Sequence, residues 1–189
     1  PNTLPSASIL SVGISSALDG TIDLNGNNQI VAQLKRGLTT TGKRLVTSEA
    51  PAALTVNYTG STQIHYDGNF SGAVSLIKGG TGTLNLWGTN STYTGSTVVS
   101  NGTLTVNAKV VLGSSPLITV AGGTLRLLAV NCISDSATLS ITTNSAKVYL
   151  NAGLVETIGT LVLDGSRKWH GTWGASGSGA ETIDDQHFS

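Results

Sequence analysis

"GGTGTLNLWGTNSTYTGSTVVSNGTLTVNA", residues Gly79–Ala108, carries one short phrase twice. GTLNL at Gly82–Leu86 returns as GTLTV at Gly102–Val106, with Leu84 and Leu104 twenty positions apart. In both copies leucine or valine alternates with asparagine or threonine, the period-two pattern of a strand with one buried face. Related phrases stand at Gly20–Leu24 (GTIDL), Gly123–Leu127 (GTLRL) and Gly159–Leu163 (GTLVL). Weaker copies occupy Ala53–Val56, Ala137–Ile141 and Lys147–Leu150, and second apolar runs lie between copies at Ser96–Ser100 and Leu117–Val120.

A unit of ~20 residues holding two or three short strands cannot bury its own apolar face and must stack on the next unit. The expected fold is all-β, a parallel β-helix (β-solenoid) of roughly nine ~20-residue coils, about 45 Å long at ~4.8 Å per coil. Leucine, valine and isoleucine would fill the inside; threonine, serine and asparagine would coat the outside. A β-sandwich also shows regularly spaced turn signals, but it does not call for near-identical strands at one fixed period.

Composition agrees. Aromatic residues make up 5% and charged residues 11%, while glycine occurs 24 times, so strands and tight turns are favoured over helices. The formal net charge of zero offers no basic stripe to follow a phosphate backbone, which excludes nucleic acid as a partner. Near-neutrality also removes repulsion between copies and permits self-association. No apolar run reaches the ~18 residues that would span a bilayer as a helix. Cys132 is the single cysteine and cannot form an internal disulfide. In the run LLAVNC it reads as a buried, inert thiol.

Along the chain, residues 1–17 read as an N-terminal arm or first strand, 18–165 as the solenoid, and 166–189 as a C-terminal cap or docking segment. KRGLTTTGKR, Lys35–Arg44, holds four of the ten basic residues and reads as a solvated loop leaving the coil. The final segment changes character, with Trp169, His170 and Trp173 among glycines and serines. Solenoid ends need such a cover, because the last coil otherwise presents unpaired strand edges.

Candidate chemistry is sparse. The acidic residues are scattered singly before the final segment, mostly at turns, where aspartate serves local hydrogen bonding. IHYDG, Ile64–Gly68, puts His65 and Asp67 on one side of a strand and reads as a surface pair, with no nucleophile to serve. DDQH, Asp184–His187, has cation-ligand residue types at short spacing but no glycine turn or further carboxylates. No catalytic, cofactor-binding or metal residues are therefore assigned, and no cofactor. Four aromatics stand as possible contact residues: Trp87, Tyr93, Trp169 and Trp173. With Leu84 and Leu86 inward, Trp87 falls at the coil's outer corner, either exposed for contact or folded onto Tyr93. Trp169 and Trp173 could stack a sugar or pack over the last coil.

Ser75–Asn107 resembles the autotransporter-associated β-strand repeat (passenger-associated transport repeat) of bacterial surface and secreted proteins. That family reads K-x-G-x-GTL-x-L-x-G-x-N-x-YTG-x-T-x-V-x-x-GTL-x-V. Lys78, Gly80, Gly82, Leu84, Leu86, Gly88, Asn90, Tyr93, Thr94, Gly95, Thr97, Val99, Gly102 and Leu104 meet it. Trp87 departs from it, since a small polar residue is usual there. Gly20–Leu34 is similar to a segment often found upstream in such proteins, and Gly171–Ser189 resembles the ending of many of them. The resemblance implies a right-handed parallel β-helix on an exported protein, acting as scaffold rather than catalyst. The expectation is thus a non-catalytic extracellular structural protein of a bacterial surface or matrix, with a head-to-tail filament subunit as one form of it. Its partners would be itself or surface polysaccharide. An adhesin or carbohydrate-binding module is the alternative, and a polysaccharide lyase or hydrolase stands behind both.

Overall fold

The computed structural model describes residues 3–13, 19–37, 42–109, 111–112 and 114–189. Period-two sequence becomes short strands that wind into stacked parallel coils, with no helix among the described residues. Two walls carry most of the pairing. A nine-stranded sheet contains Arg44–Asn57, Asn69–Gly79, Thr97–Val99, Leu117–Val120, Thr138–Ile141 and Thr160–Leu163 in successive coils. A five-stranded sheet stacks Ile64–Tyr66, Thr83–Leu86, Thr103–Val106, Thr124–Leu127 and Lys147–Leu150. Ile9–Val12 pairs in parallel with Gln33–Arg36, which lies beside Ile64–Tyr66 and extends that wall toward the N-terminus.

Register turns the repeat into interior rows. Leu84, Leu104, Leu125 and Val148 are mutual partners down one wall, all fully buried. On the other wall Leu54, Leu76, Thr97, Ile118, Leu139 and Leu161 form one inward row. Val56, Lys78, Val99, Val120, Ile141 and Leu163 form the next. Among the described residues, a third side forms paired strands in the early coils. The long strand Arg44–Asn57 changes register between Ser48 and Ala52, so its first half pairs with Gly20–Asp23 and its second with Gln29–Val31. Later coils reduce that side to single bridges such as Leu112 with Ile133. Inside the corner, Tyr66, Phe70 and Tyr93 stack tilted and edge-on, with centroids 5.3 and 5.7 Å apart.

The solenoid has about 7 turns rather than roughly nine. The early coils are longer than the motif spacing: Gly20 pairs with Arg44 and Gln29 with Leu54, while Leu84 pairs with Leu104. The end of the chain also turns back antiparallel at Ser166–Arg167 instead of adding a further parallel coil. At ~4.8 Å per coil, about seven turns make a stack about 34 Å long.

Two polar residues interrupt the inward rows, and each is provided for. Thr97 Oγ1 meets the Tyr93 hydroxyl at 2.6 Å and donates to Ser115 Oγ at 3.3 Å. Lys78 is fully buried, and its Nζ turns to the corner to donate to the carbonyls of Gly79 (2.5 Å), Gly80 (2.8 Å) and Asn101 (3.2 Å). Those carbonyls point into the corner because Gly80 takes φ 67, a left-handed turn that suits glycine. One coil on, Gly102 repeats the turn at φ 64, where a side-chain Cβ would come within 2.5 Å of the Gly80 and Gly82 carbonyl oxygens. The phrase KGGTGTL is thus a corner: a lysine, the carbonyls it holds, and glycines that let coils touch.

The expected solvated loop at Lys35–Arg44 is different in the structure. Lys35 and Arg36 lie in the strand Gln33–Arg36, whose Leu34 is buried, so the period-two pattern continues into the basic run. Arg44 begins the next strand and is itself buried, its Nη1 3.3 Å from Asp67 Oδ2. Residues 38–41 of that expected loop, and residues 1–2 and 14–18 around the N-terminal arm, lie outside the described residues.

Candidate functional site

The C-terminal end brings aromatic, histidine and acidic side chains together beyond the last parallel strand. Thr160–Leu163 is the last parallel strand, placing Leu161 and Leu163 in the inward rows. The chain then reverses through Asp164 and Gly165 at φ 50 and 76, the left-handed pair of a two-residue hairpin. Leu163 and Ser166 pair antiparallel, so Ser166–Arg167 covers the outer edge of the last strand. Residues 168–183 form a strap, stiffened where Trp173–Gly174 pairs in parallel with Thr182–Ile183. The chain returns at Asp184. Phe188 enters the core and bridges to Val148, whose N–H donates to the His187 carbonyl at 2.8 Å.

Between strap and coils lies a cavity of about 1330 Å³, with Leu127, Leu139, Val148 and Leu161 on the coil side and Trp169 and Trp173 on the strap. Trp169 is 87% exposed at its rim. Trp173 is half-buried, with Lys168 Nζ 5.9 Å from its ring centroid. This arrangement can hold an apolar or ring-shaped group by stacking and dispersion.

Among the described residues lining the cavity, Glu156 supplies the carboxylate side chain. Burial pushes its pKa up, opposed by backbone N–H groups, of which Ile133 donates to Oε1 at 2.6 Å. Glu156 therefore works as a cap for the turn at Asn131–Ile133. Across the strap, Asp185 accepts from the Ser176 hydroxyl at 2.5 Å and its backbone N–H at 2.6 Å, and these bonds hold its carboxyl below the usual range.

The aromatic candidates separate. Trp169 and Trp173 share the terminal cavity. Trp87 follows Thr83–Leu86 on an earlier coil, 49% exposed, its N–H donating to the Tyr66 carbonyl at 2.9 Å. Tyr93 is not a surface contact residue: it is fully buried, packed edge-on against Phe70, and its hydroxyl is engaged by Thr97.

The paired readings also separate. His65 is exposed, but Asp67 turns to Arg44 instead of to the histidine. Cys132 is fully buried, with Sγ donating to the Ala129 carbonyl at 3.0 Å. Its thiol pKa is pushed up to about 12 by burial, with Glu156 adding to the rise. In DDQH, Asp184 and His187 engage each other, and Asp164, from outside that motif, lies beside the same ring. The dipeptide Asp164–Gly165 was the available signal, since it marks the hairpin that brings the chain end back.

Searches of curated proteins and of solved structures return no match to the chain. Residues 76–106, which run from the inward Leu76 through the Lys78 corner to Val106, match the family described as Passenger-associated-transport-repeat. With its stacked parallel coils, the chain therefore carries a repeat of autotransporter passenger domains and fits a passenger-like scaffold.

Proposed function

We propose that this protein is a non-catalytic structural element displayed outside a bacterial cell, a stiff β-solenoid of the surface or matrix that associates end to end. The observation that carries the reading is the unbroken pair of walls, whose inward rows run through successive coils in constant register. Such a stack resists bending because parallel hydrogen bonds and a dry core run along its whole axis. End-to-end contact at the C-terminal side would run through the tail, since Ser166–Arg167 and Phe188 already occupy edges of the last strands. The zero net charge leaves little repulsion between copies. Electron microscopy of the purified protein and of shaved cell surfaces tests this. Rods or filaments released from the surface support it; isolated particles at all salt concentrations, confined to the cell interior, refute it.

A second reading, a carbohydrate-binding module or adhesin, is favoured by Trp169 standing 87% exposed beside the cavity. A glycan array of the wild type against Trp169→Ala and Trp87→Ser separates them: a specific glycan lost in either variant selects the binder. A polysaccharide hydrolase has less support, because acid–base cleavage uses two carboxyl groups and the cavity lining offers Glu156.

A further inference from the structure

We propose that the cavity between strap and solenoid is a binding site for an amphiphile, an unbranched aliphatic chain that ends in an anionic head. The assignment goes beyond the scaffold reading and does not rest on it.

The wall of the cavity is apolar where its side chains are left open. Leu150, Leu154 and Ile158 line it half-buried, and Val155 lines it 73% exposed. Trp173 and Trp169 face them from the strap. Val155 and Trp169 are the two most exposed large apolar side chains among the described residues, and both border this one space. Open apolar side chains gathered at one place mark a binding surface. The volume of about 1330 Å³ exceeds the ~300–1,000 Å³ usual for small-ligand pockets, so a long chain has room. Aliphatic walls accept and donate no hydrogen bonds. A sugar lying against Leu154 and Ile158 would leave hydroxyls unpaired, a cost that a methylene chain does not incur.

The charge beside this wall is cationic. Arg167 and Lys168 both line the cavity, and among the described residues neither has an ion-pair partner. Lys168 Nζ lies 5.9 Å from the Trp173 ring centroid, which sets a positive charge at the edge of the apolar surface. Glu156 does not cancel it. Ile133 N–H donates to Glu156 Oε1 at 2.6 Å and Oε2 is buried, so that carboxyl serves the turn rather than the opening. An aliphatic chain thus packs along Leu154, Ile158 and the two tryptophans while its anionic head meets Lys168 and Arg167. The head is a carboxylate or a phosphate, and both satisfy the same two cations.

Calorimetric titration of the whole chain with saturated carboxylates, each below its micelle concentration, tests the site. Kd should fall roughly fourfold for each methylene added from octanoate to decanoate to dodecanoate, at ~0.8 kcal/mol per buried CH₂. Decanol should bind roughly threefold more weakly than decanoate, the size expected of a partly exposed ion pair. Lys168→Gln combined with Arg167→Gln should bind the two alike. Val155→Asp, at an exposed position where circular dichroism should stay unchanged, should weaken decanoate roughly tenfold by placing a carboxylate in the wall. Sedimentation with phosphatidylglycerol vesicles identifies the source: pelleting assigns the chain to a lipid leaflet, and protein left in the supernatant beside intact decanoate binding assigns it to a free fatty acid. Absent binding, a Kd indifferent to chain length, decanol bound as tightly as decanoate by the wild type, or full binding by Val155→Asp overturns the proposal.

Discussion

Titrating Lys78 tests how the repeat corner is built. Burial lowers its pKa from 10.5 to about 8, so between those values the unfolded chain binds a proton that the folded chain does not. Stability rises with pH wherever the unfolded state binds more protons. The wild type should therefore gain stability above pH 8 as the buried ammonium becomes an amine that still has two N–H groups for the carbonyls around it. At about 1.4 kcal/mol per pKa unit, the gain from Lys78 between pH 7 and 9.5 is about 2 kcal/mol. Cys132, Tyr66 and Tyr93 act oppositely, since burial raises each and unfolding lets them ionise at alkaline pH. Lys78→Met removes the one group and keeps those three. Urea unfolding followed by circular dichroism, at pH 7 and 9.5 on both proteins, isolates Lys78 as a difference of differences. The expected value is about 2 kcal/mol in favour of the wild type's alkaline gain. A value near zero would mean that the three carbonyl contacts hold the ammonium charged, and would refute burial as the dominant influence on the corner.

Other outcomes follow from the interior rows. Leu104→Ala should cost about 4 kcal/mol, in the upper part of the range for buried leucines, because strands paired on both sides cannot close over the hole. Thr103→Ala, one residue away on the outer face, should stay within about 0.5 kcal/mol in the same urea experiment. Equal effects would invert the inside and outside of the wall. Cys132 should resist a thiol-specific disulfide reagent in the native protein at pH 8 and react at once in urea; rapid native labelling would place the thiol at the surface.

The walls were legible because their information is local. A strand with one dry face must alternate, and the Leu84–Leu104–Leu125 spacing fixed which strands neighbour each other before any coordinates. Coil number was less legible, since the long strand at Arg44–Asn57 bends at a register shift between Ser48 and Ala52 that has no simple sequence mark. Inward polar residues are the least legible. Lys78 and Thr97 sit at inward positions, and Arg44 opens a strand, and the partner of each is supplied by a neighbouring coil or corner that the local sequence does not display. Tyr93 is hard to place for the same reason: its ring completes a stack begun at Tyr66 and Phe70 in the preceding coil. At the C-terminus, the two tryptophans announced a cover, but the approach of Asp164 to His187 depends on a hairpin and a return that alternation does not encode.

Leu84 and Leu104 are register partners one winding apart, with matching neighbours on either side. Joining Thr83 directly to Leu104 would therefore recreate the strand junction and shorten the molecule by one storey, with Tyr93 and the Asn101 carbonyl lost from their corners. Duplicating the same span would lengthen it by one. Length in such a protein changes by whole increments, because only those keep the register of the walls. Reach, then, is a quantity that this architecture can alter while keeping its cross-section and chemistry fixed.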